Sequence, residues 1–394
     1  MFSKILSGNS RMKEIIHVLL LTVLIAAANL GLRTMVTQDD ELWTRRIEFH
    51  ENEFPYSIRP LTNVTTRSLA NVFEISIKHA FAFSQYILVF ILFLSFRYFL
   101  KIIGMSQKQR IFGLWMLALS FPILCIHFIP NYSWDDLWAY IGLIWMAVFL
   151  FRSKLIHAAL CLTFAMLSRE NVVLIAPAFF LIGSEKISWK KRLTALLIPI
   201  ILYCGYRFIM FPEILSGRFT RLIVNFENLG EIRQTTYSVF ISFGWLWGPL
   251  IIALYRFLKK ERFTDKFWNQ IVYSAIIVSV LCIGVTLNTA LARETRLFFT
   301  PFVFIIPLAV SHISNRKTLF EQMLERNQGW RIILSGTVLF TGCLVTIVLL
   351  FPSFPFLPMI DLHRTLFALN LSLFIVIALL ESRKYRDLLI RINR

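Results

Sequence analysis

The chain of 394 residues is 57% hydrophobic and only 16% charged, with a mean hydropathy of +0.66 and a net charge of +18. So little polar surface excludes a soluble multi-domain protein, and the lack of strand-like alternation excludes an outer-membrane barrel. The positive charge tracks topology, as its placement along the chain shows, and calls for no nucleic-acid partner.

Apolar runs predict a polytopic all-α membrane protein of about twelve spans. They fall at about 15–32, 80–100, 111–129, 136–151, 155–168, 171–184, 193–211, 236–256, 268–290, 297–311, 332–351 and 365–381. The first run follows "SKILSGNSRMKE" and ends in "IAAAN", as a signal peptide does, but the many later spans make it a membrane helix in its own right. The first outer loop, 33–79, carries "TQDDELWTRRIEFHENEFPYSIRPLTNVTTRSL" and is expected to form short amphipathic helices. The loops "SEKISWKKR", "KKERFTDK" and "SNRKTLFEQMLERNQGWR" are short and basic. On the opposite side lysine is confined to Lys78. The positive-inside rule places the basic loops and both termini in the cytoplasm, and the acidic loops outside, in a bacterial inner membrane. Cys125, Cys161, Cys204, Cys282 and Cys343 all fall in predicted spans without metal spacing and read as small apolar filler.

The fifth and sixth spans have roughly 14 residues each, or ~21 Å of helix against a ~30 Å hydrocarbon core. Arg169 and Glu170 lie between them, in "LSRENVV". Ion-forming residues at membrane depth face protein or a water-filled space, so this pair is expected to line a recess.

Four clusters sit at span ends on the outer side: Asp39, Asp40 and Glu41; Asp135 and Asp136; Arg169 and Glu170; Arg293, Glu294 and Arg296. Any one of them reads most simply as an interfacial anchor. Four on one face, rich in carboxylates and devoid of lysine, point to a site that combines a general base with anion recognition. In "FPYSIRPL", Pro55 and Pro60 stiffen the segment that presents Tyr56 and Arg59, and a guanidinium there suits a phosphate or, equally, a salt bridge to the preceding "ENE". Arg207, near the end of the seventh span, either snorkels to the interface, the favoured reading, or reaches the same outer cavity. His50, His79, His127 and His363 show no metal-binding spacing.

At these residues the chain resembles the GT-C class of polytopic glycosyltransferases. "FPYSIRPL" looks like the "fxYRxLxP" loop of bacterial members. "NYSWDDLWAY" followed by "LSREN" is similar to their "YD" and "NRET" pair around two short spans, although Ser168 and Asn171 depart from it. "ARETRLFFTPFVFIIPL" resembles a third segment, with Glu294, Arg296, Pro301 and Pro307 in matching order. The likeness spans about residues 15–310. It implies a catalytic module over 1–311, including outer loop 33–79, followed by C-terminal helices and a basic tail over 312–394. It further implies transfer of a sugar from a polyprenyl-phosphate donor to a lipid, glycan or protein acceptor outside the membrane. Asp39 or Asp40 would serve as base, with Glu41, Asp135, Asp136, Glu170 and Glu294 as second acidic positions. Arg59, Arg169, Arg293 and Arg296, with Tyr56, would hold the donor. A monophosphate donor needs no metal, though a divalent ion is compatible with it. The rival readings are a transporter or flippase of a lipid-linked saccharide and a non-catalytic GT-C-like membrane protein. The few mid-span charges and the lack of a repeat between the halves weigh against transport.

Overall fold

The computed structural model describes residues 10–31, 40–53, 56–124, 135–183, 187–210, 221–259, 266–290, 294–314, 329–350 and 364–378. Helix makes up 88% of the structure, and no strand occurs among the described residues. Four helices are long and apolar enough to cross a membrane by length and composition: Ile77–Ile102, Trp189–Met210, Leu229–Arg256 and Lys266–Thr289. Shorter apolar helices accompany them, which fits a membrane protein.

In chain order α1 is Ser10–Gly31, α2 Asp40–Asn52, α3 Pro60–Phe73, α4 Ile77–Ile102 and α5 Gln107–Leu119. The short α6 is Phe121–Leu124, and α7 and α8 are Asp136–Phe151 and Leu155–Ser168. Beyond them lie α9 Ala178–Leu181, α10 Trp189–Met210, α11 Arg221–Asn225, α12 Leu229–Phe243 and α13 Trp247–Leu258. The last four are α14 Lys266–Thr289, α15 Phe302–Ser314, α16 Gly329–Leu350 and α17 Arg364–Ala378.

Local chemistry sets many of these boundaries. Ser76 caps α4, and Ser106 with Gln109 forms a reciprocal capping box at the start of α5. The loop between α1 and α4 is built from two helices. Trp43 and Ile47 of α2 bury one face of it against Phe81 of α4. The pair α7–α8 packs closely because a side chain at Gly142 would meet the Ala165 Cβ at 2.8 Å, small residues letting the two backbones approach. At the centre lies α15, buried on every side from Phe302 to Val310, as an all-round apolar helix must be.

Where the chain departs from regular helix the cause is visible. The predicted sixth span at 171–184 is no continuous α-helix: Glu170–Ile175 is a 3-10 turn, and α9 begins only after Pro177. Proline has no N–H to continue the ladder, and Ala176 closes a tighter bond to the Val173 carbonyl at 2.9 Å. Arg192 then gathers the loose end. It donates to the carbonyls of Phe179, Ile182, Gly183 and Ile187. The eighth predicted span bends at Gly244, whose φ of +53° only glycine adopts cheaply and where a Cβ would strike Asn370 at 1.8 Å. The third ends its first helix at Ser120, ahead of Pro122.

Two clusters divide the polar interior between the ends of the bundle. At one end the buried Glu14 of α1 accepts from Arg97 of α4 and, at 2.5 Å, from Arg110 of α5. The other end holds the site described next. The C-terminal helices α16 and α17 pack on α12 through a separate apolar cluster of Tyr237, Ile241, Cys343, Ile347 and Phe367.

Candidate active site

Four breaks in the helical backbone meet at one end of the bundle. The first is the turn before α3, where Arg59 donates its backbone N–H to the Tyr56 carbonyl at 3.0 Å. Pro60 then opens the helix at a position whose N–H would have no partner. The second is the start of α7, with Asp135 as its cap residue and Asp136 in the first turn, where the helix dipole favours a carboxylate. The third is the junction of α8 with the 3-10 turn, which sets Arg169 and Glu170 back to back. The fourth is a 3-10 turn at Thr295–Phe298, preceded by Glu294 and containing Arg296.

These segments interlock through charge. Arg59 presents its fork to Glu170, Nε to Oε2 at 3.0 Å and Nη2 to Oε1 at 2.7 Å, while Nη1 faces Asp135 at 3.9 Å. Asp136 accepts from Arg169 and lies 3.4 Å from Arg296. Arg296 also grips Glu294 at 2.8 and 3.1 Å. Three arginines and four carboxylates thus form two adjoining groups, Arg59 with Glu170 and Asp135, and Asp136 with Arg169, Arg296 and Glu294. Asp135 and Asp136 are the floor, their side chains 3% and 2% exposed, whereas Glu170 and Glu294 keep 36% and 35% and open towards the space above.

That space is a cavity of about 570 Å³. Arg59, Arg169 and Arg296, with Glu170 and Glu294, form its charged side. Tyr56 lines it too, its ring 5.6 Å from the Arg59 guanidinium carbon and 4.6 Å from the His50 ring. Uncharged polar groups line it as well: Asn171, Tyr203 of α10, and Thr286 and Thr289 of α14. Val173, Leu174 and Val285 supply apolar surface. A volume in the range of about 300–1,000 Å³ is that of a small-molecule site.

Burial shapes the protonation of the floor and the flank. Burial lifts the Asp135 carboxyl to about 7, outweighing the pull of Arg59, Arg169 and a Thr62 hydrogen bond. Its Oδ1 has no hydrogen-bond partner. The His50 imidazole is pushed down to about 3, by burial first and then by Arg59, Arg296 and Arg46, so it is neutral and packs as an aromatic. Burial also raises Glu294, but Arg296 and Arg169 outweigh it and leave the carboxyl below its ordinary range.

The structure therefore brings together Tyr56, Arg59, Asp135, Asp136, Arg169, Glu170, Glu294 and Arg296. It does not bring Glu41, which pairs with Arg45 at 2.6 Å one helical turn on, its side chain 77% exposed. Asp40 is the first residue of α2, while Asp39 and Arg293 lie outside the described residues. Asp135 and Asp136 sit beneath the arginines instead of on the cavity wall. Arg207, expected to snorkel, lines the cavity. Tyr203 and Arg207 are four residues apart on α10 and share a face; the arginine was weighed in the sequence, but its tyrosine neighbour was not. Thr286 and Thr289 repeat the pattern on α14. Among the described residues no cluster of His, Cys, Asp and Glu has the make-up of a metal site. Comparison with protein-family models, with curated proteins and with solved structures finds no match to this chain.

Proposed function

We propose that this chain is a GT-C-like membrane glycosyltransferase that takes a sugar from a polyprenyl-phosphate donor and passes it to an acceptor hydroxyl. In this reading about twelve spans set the cavity on the extracytoplasmic face of a bacterial inner membrane, with both termini in the cytoplasm. One observation carries it: a cavity beside membrane-length helices whose wall gathers Arg59, Arg169, Arg207 and Arg296 from four separate segments. Few ligands repay so many buried guanidinium groups as well as a phosphate does. Beside the cavity α10 turns Phe208 and Ile209 outward, 70% and 77% exposed, a surface along which an isoprenoid tail is at home.

The chemistry follows from the donor. The acceptor oxygen attacks the anomeric carbon, the bond from that carbon to the phosphate oxygen breaks, and its electron pair leaves on polyprenyl phosphate. The arginines stabilise that growing charge. The acceptor proton goes to a carboxylate. Glu170 and Glu294 are poor bases because their lone pairs already receive the Arg59 and Arg296 forks, so they act as positioning residues. The base falls to Asp39 or Asp40 in the first outer loop. A flippase of the same lipid would call for charged groups near the middle of the membrane, whereas the ion clusters described above lie at the ends of the bundle.

Purified protein in lipid nanodiscs, given undecaprenyl phosphate carrying a radiolabelled sugar together with membrane glycolipid, is expected to release free undecaprenyl phosphate and label an acceptor. Movement of intact donor across a vesicle bilayer without cleavage would make the chain a flippase, and neither activity with a range of donors would leave it non-catalytic.

A further inference from the structure

The uncharged polar groups that line the cavity have a chemistry of their own. Tyr203 is 5% exposed and lines the cavity, yet its hydroxyl has no hydrogen-bond partner. Asn171 lines the same cavity from the 3-10 turn, and its Oδ1 is likewise buried without a partner. The two come from separate segments, α10 and the turn after α8. Burying a polar atom with nothing to bond costs free energy, and two such atoms beside one cavity mark a place where a ligand supplies what the protein leaves out. Thr289 of α14 adds a hydroxyl that donates to the Val285 carbonyl at 2.8 Å and keeps lone pairs to accept with.

We infer that Tyr203 and Asn171 form a subsite for the uncharged, hydroxyl-rich part of a glycosyl phosphate whose phosphate lies against the arginines. A phenol both donates and accepts, and an amide oxygen accepts, which is the set that matches neighbouring sugar hydroxyls. Val173, Leu174 and Val285 offer apolar surface to the C–H face of a sugar ring. The subsite rests on the donor reading above for its lipid, but the same headgroup exists free as a sugar 1-phosphate, and the two sources separate by experiment.

The test is equilibrium binding to the purified full chain. The probes are undecaprenyl phosphate alone, undecaprenyl phosphate bearing glucose, galactose, mannose or arabinose, glucose 1-phosphate, and inorganic phosphate. At least one sugar-bearing lipid is expected to bind more tightly than the bare lipid. Tyr203→Phe and Asn171→Leu should each weaken that lipid about 10-fold, the size of one lost hydrogen bond, and leave bare undecaprenyl phosphate unchanged. Because Tyr203→Phe removes an oxygen with no partner, the unliganded variant should melt no lower than the parent. Equal binding of bare and sugar-bearing lipid by the parent overturns the subsite. So does equal loss of both lipids in the variants, or a Tyr203→Phe protein less stable than the parent. If no lipid binds but glucose 1-phosphate beats inorganic phosphate in a Tyr203-dependent way, the lipid-linked donor falls and the subsite stands. If no probe binds at all, both fall.

Discussion

Arg59 and Glu170, 111 residues apart in the chain, are joined by two hydrogen bonds of 3.0 and 2.7 Å in the planar fork that guanidinium and carboxylate favour. The pair ties the first outer loop to the break between α8 and α9, so the cavity wall is held by charge as well as by packing. Arg59 is buried, and removing its partner leaves it facing only Asp135, at 3.9 Å.

The first prediction follows. Glu170→Ala should lower the unfolding free energy by about 3–5 kcal/mol, the usual cost of stranding a buried charge. Glu170→Gln, which keeps an acceptor, should cost less. Arg59→Met combined with Glu170→Leu should regain most of the loss, since replacing both partners by apolar groups removes the stranded charge along with the pair. Thermal or denaturant unfolding in detergent at pH 6 measures all three. A Glu170→Ala protein as stable as its parent would remove the network from the fold's support.

These pairings mark the limit of what the sequence made legible. Asp136–Phe151 and Leu155–Ser168 begin and end where the apolar runs predicted, because charged residues bracket each run: Asp135 and Asp136, Arg152 and Lys154, Arg169 and Glu170. The convergence of acid–base clusters at one end was readable from side-specific charge. Which arginine holds which carboxylate was not, since partners such as Arg296 and Asp136 lie 160 residues apart and nothing local encodes them. The break of the sixth span was signalled by Pro177 and by the shortness of the run, yet its unbroken apolar character read as one helix. Glu41 misled because its neighbours in sequence were acidic, whereas its real partner, Arg45, stands one helical turn away.

Asp135 makes stability depend on pH with a definite sign. Folded, it holds its proton up to about 7, where burial has lifted it; unfolded, it releases it near 3.9. Between those values the folded chain binds more protons than the unfolded chain, so stability falls as pH rises through the window and levels off above it. Glu294, held low, acts in the opposite sense, but only below about 4.5, where acid protonates it. The unfolding free energy should therefore climb as pH drops from 8 to 5, by an amount on the order of a few kcal/mol, with the melting temperature following it, and turn down in stronger acid. Asp135→Asn should flatten the climb. An unchanged slope in that variant would show that another group carries the effect.

Orientation in the membrane is open to direct chemistry. Ser68 on α3 and Lys108 on α5 are both exposed and stand at opposite ends of the bundle. In a background with the native cysteines replaced, Ser68→Cys should react with a membrane-impermeant maleimide on intact bacterial cells. Lys108→Cys should react only after the cells are opened. The reverse pattern would turn the cavity towards the cytoplasm and cost the proposal its extracytoplasmic donor.

The base remains the sharpest point at which the proposal meets the protein. The four carboxylates of the network are committed: Glu170 and Glu294 to guanidinium forks, Asp135 and Asp136 to the floor beneath them. A base must come within about 2.6–3.2 Å of the acceptor hydroxyl, directly or through one water. A single proton transfer takes one carboxylate, so only one of Asp39 and Asp40 is expected to serve. The Asp→Asn change keeps the size of the side chain and removes its basicity. One of Asp39→Asn and Asp40→Asn should lower turnover by about 100-fold or more at saturating donor, the other should be milder, and donor affinity should persist in both. The helix supplies a competing constraint: Asp40 lies ten residues before His50, about 15 Å along α2, while His50 is the residue that touches Tyr56. Near-normal turnover in both variants would therefore move the base inward, and Asp135→Asn would become the decisive substitution, because burial lifts Asp135 to about 7 and one of its oxygens has no hydrogen-bond partner.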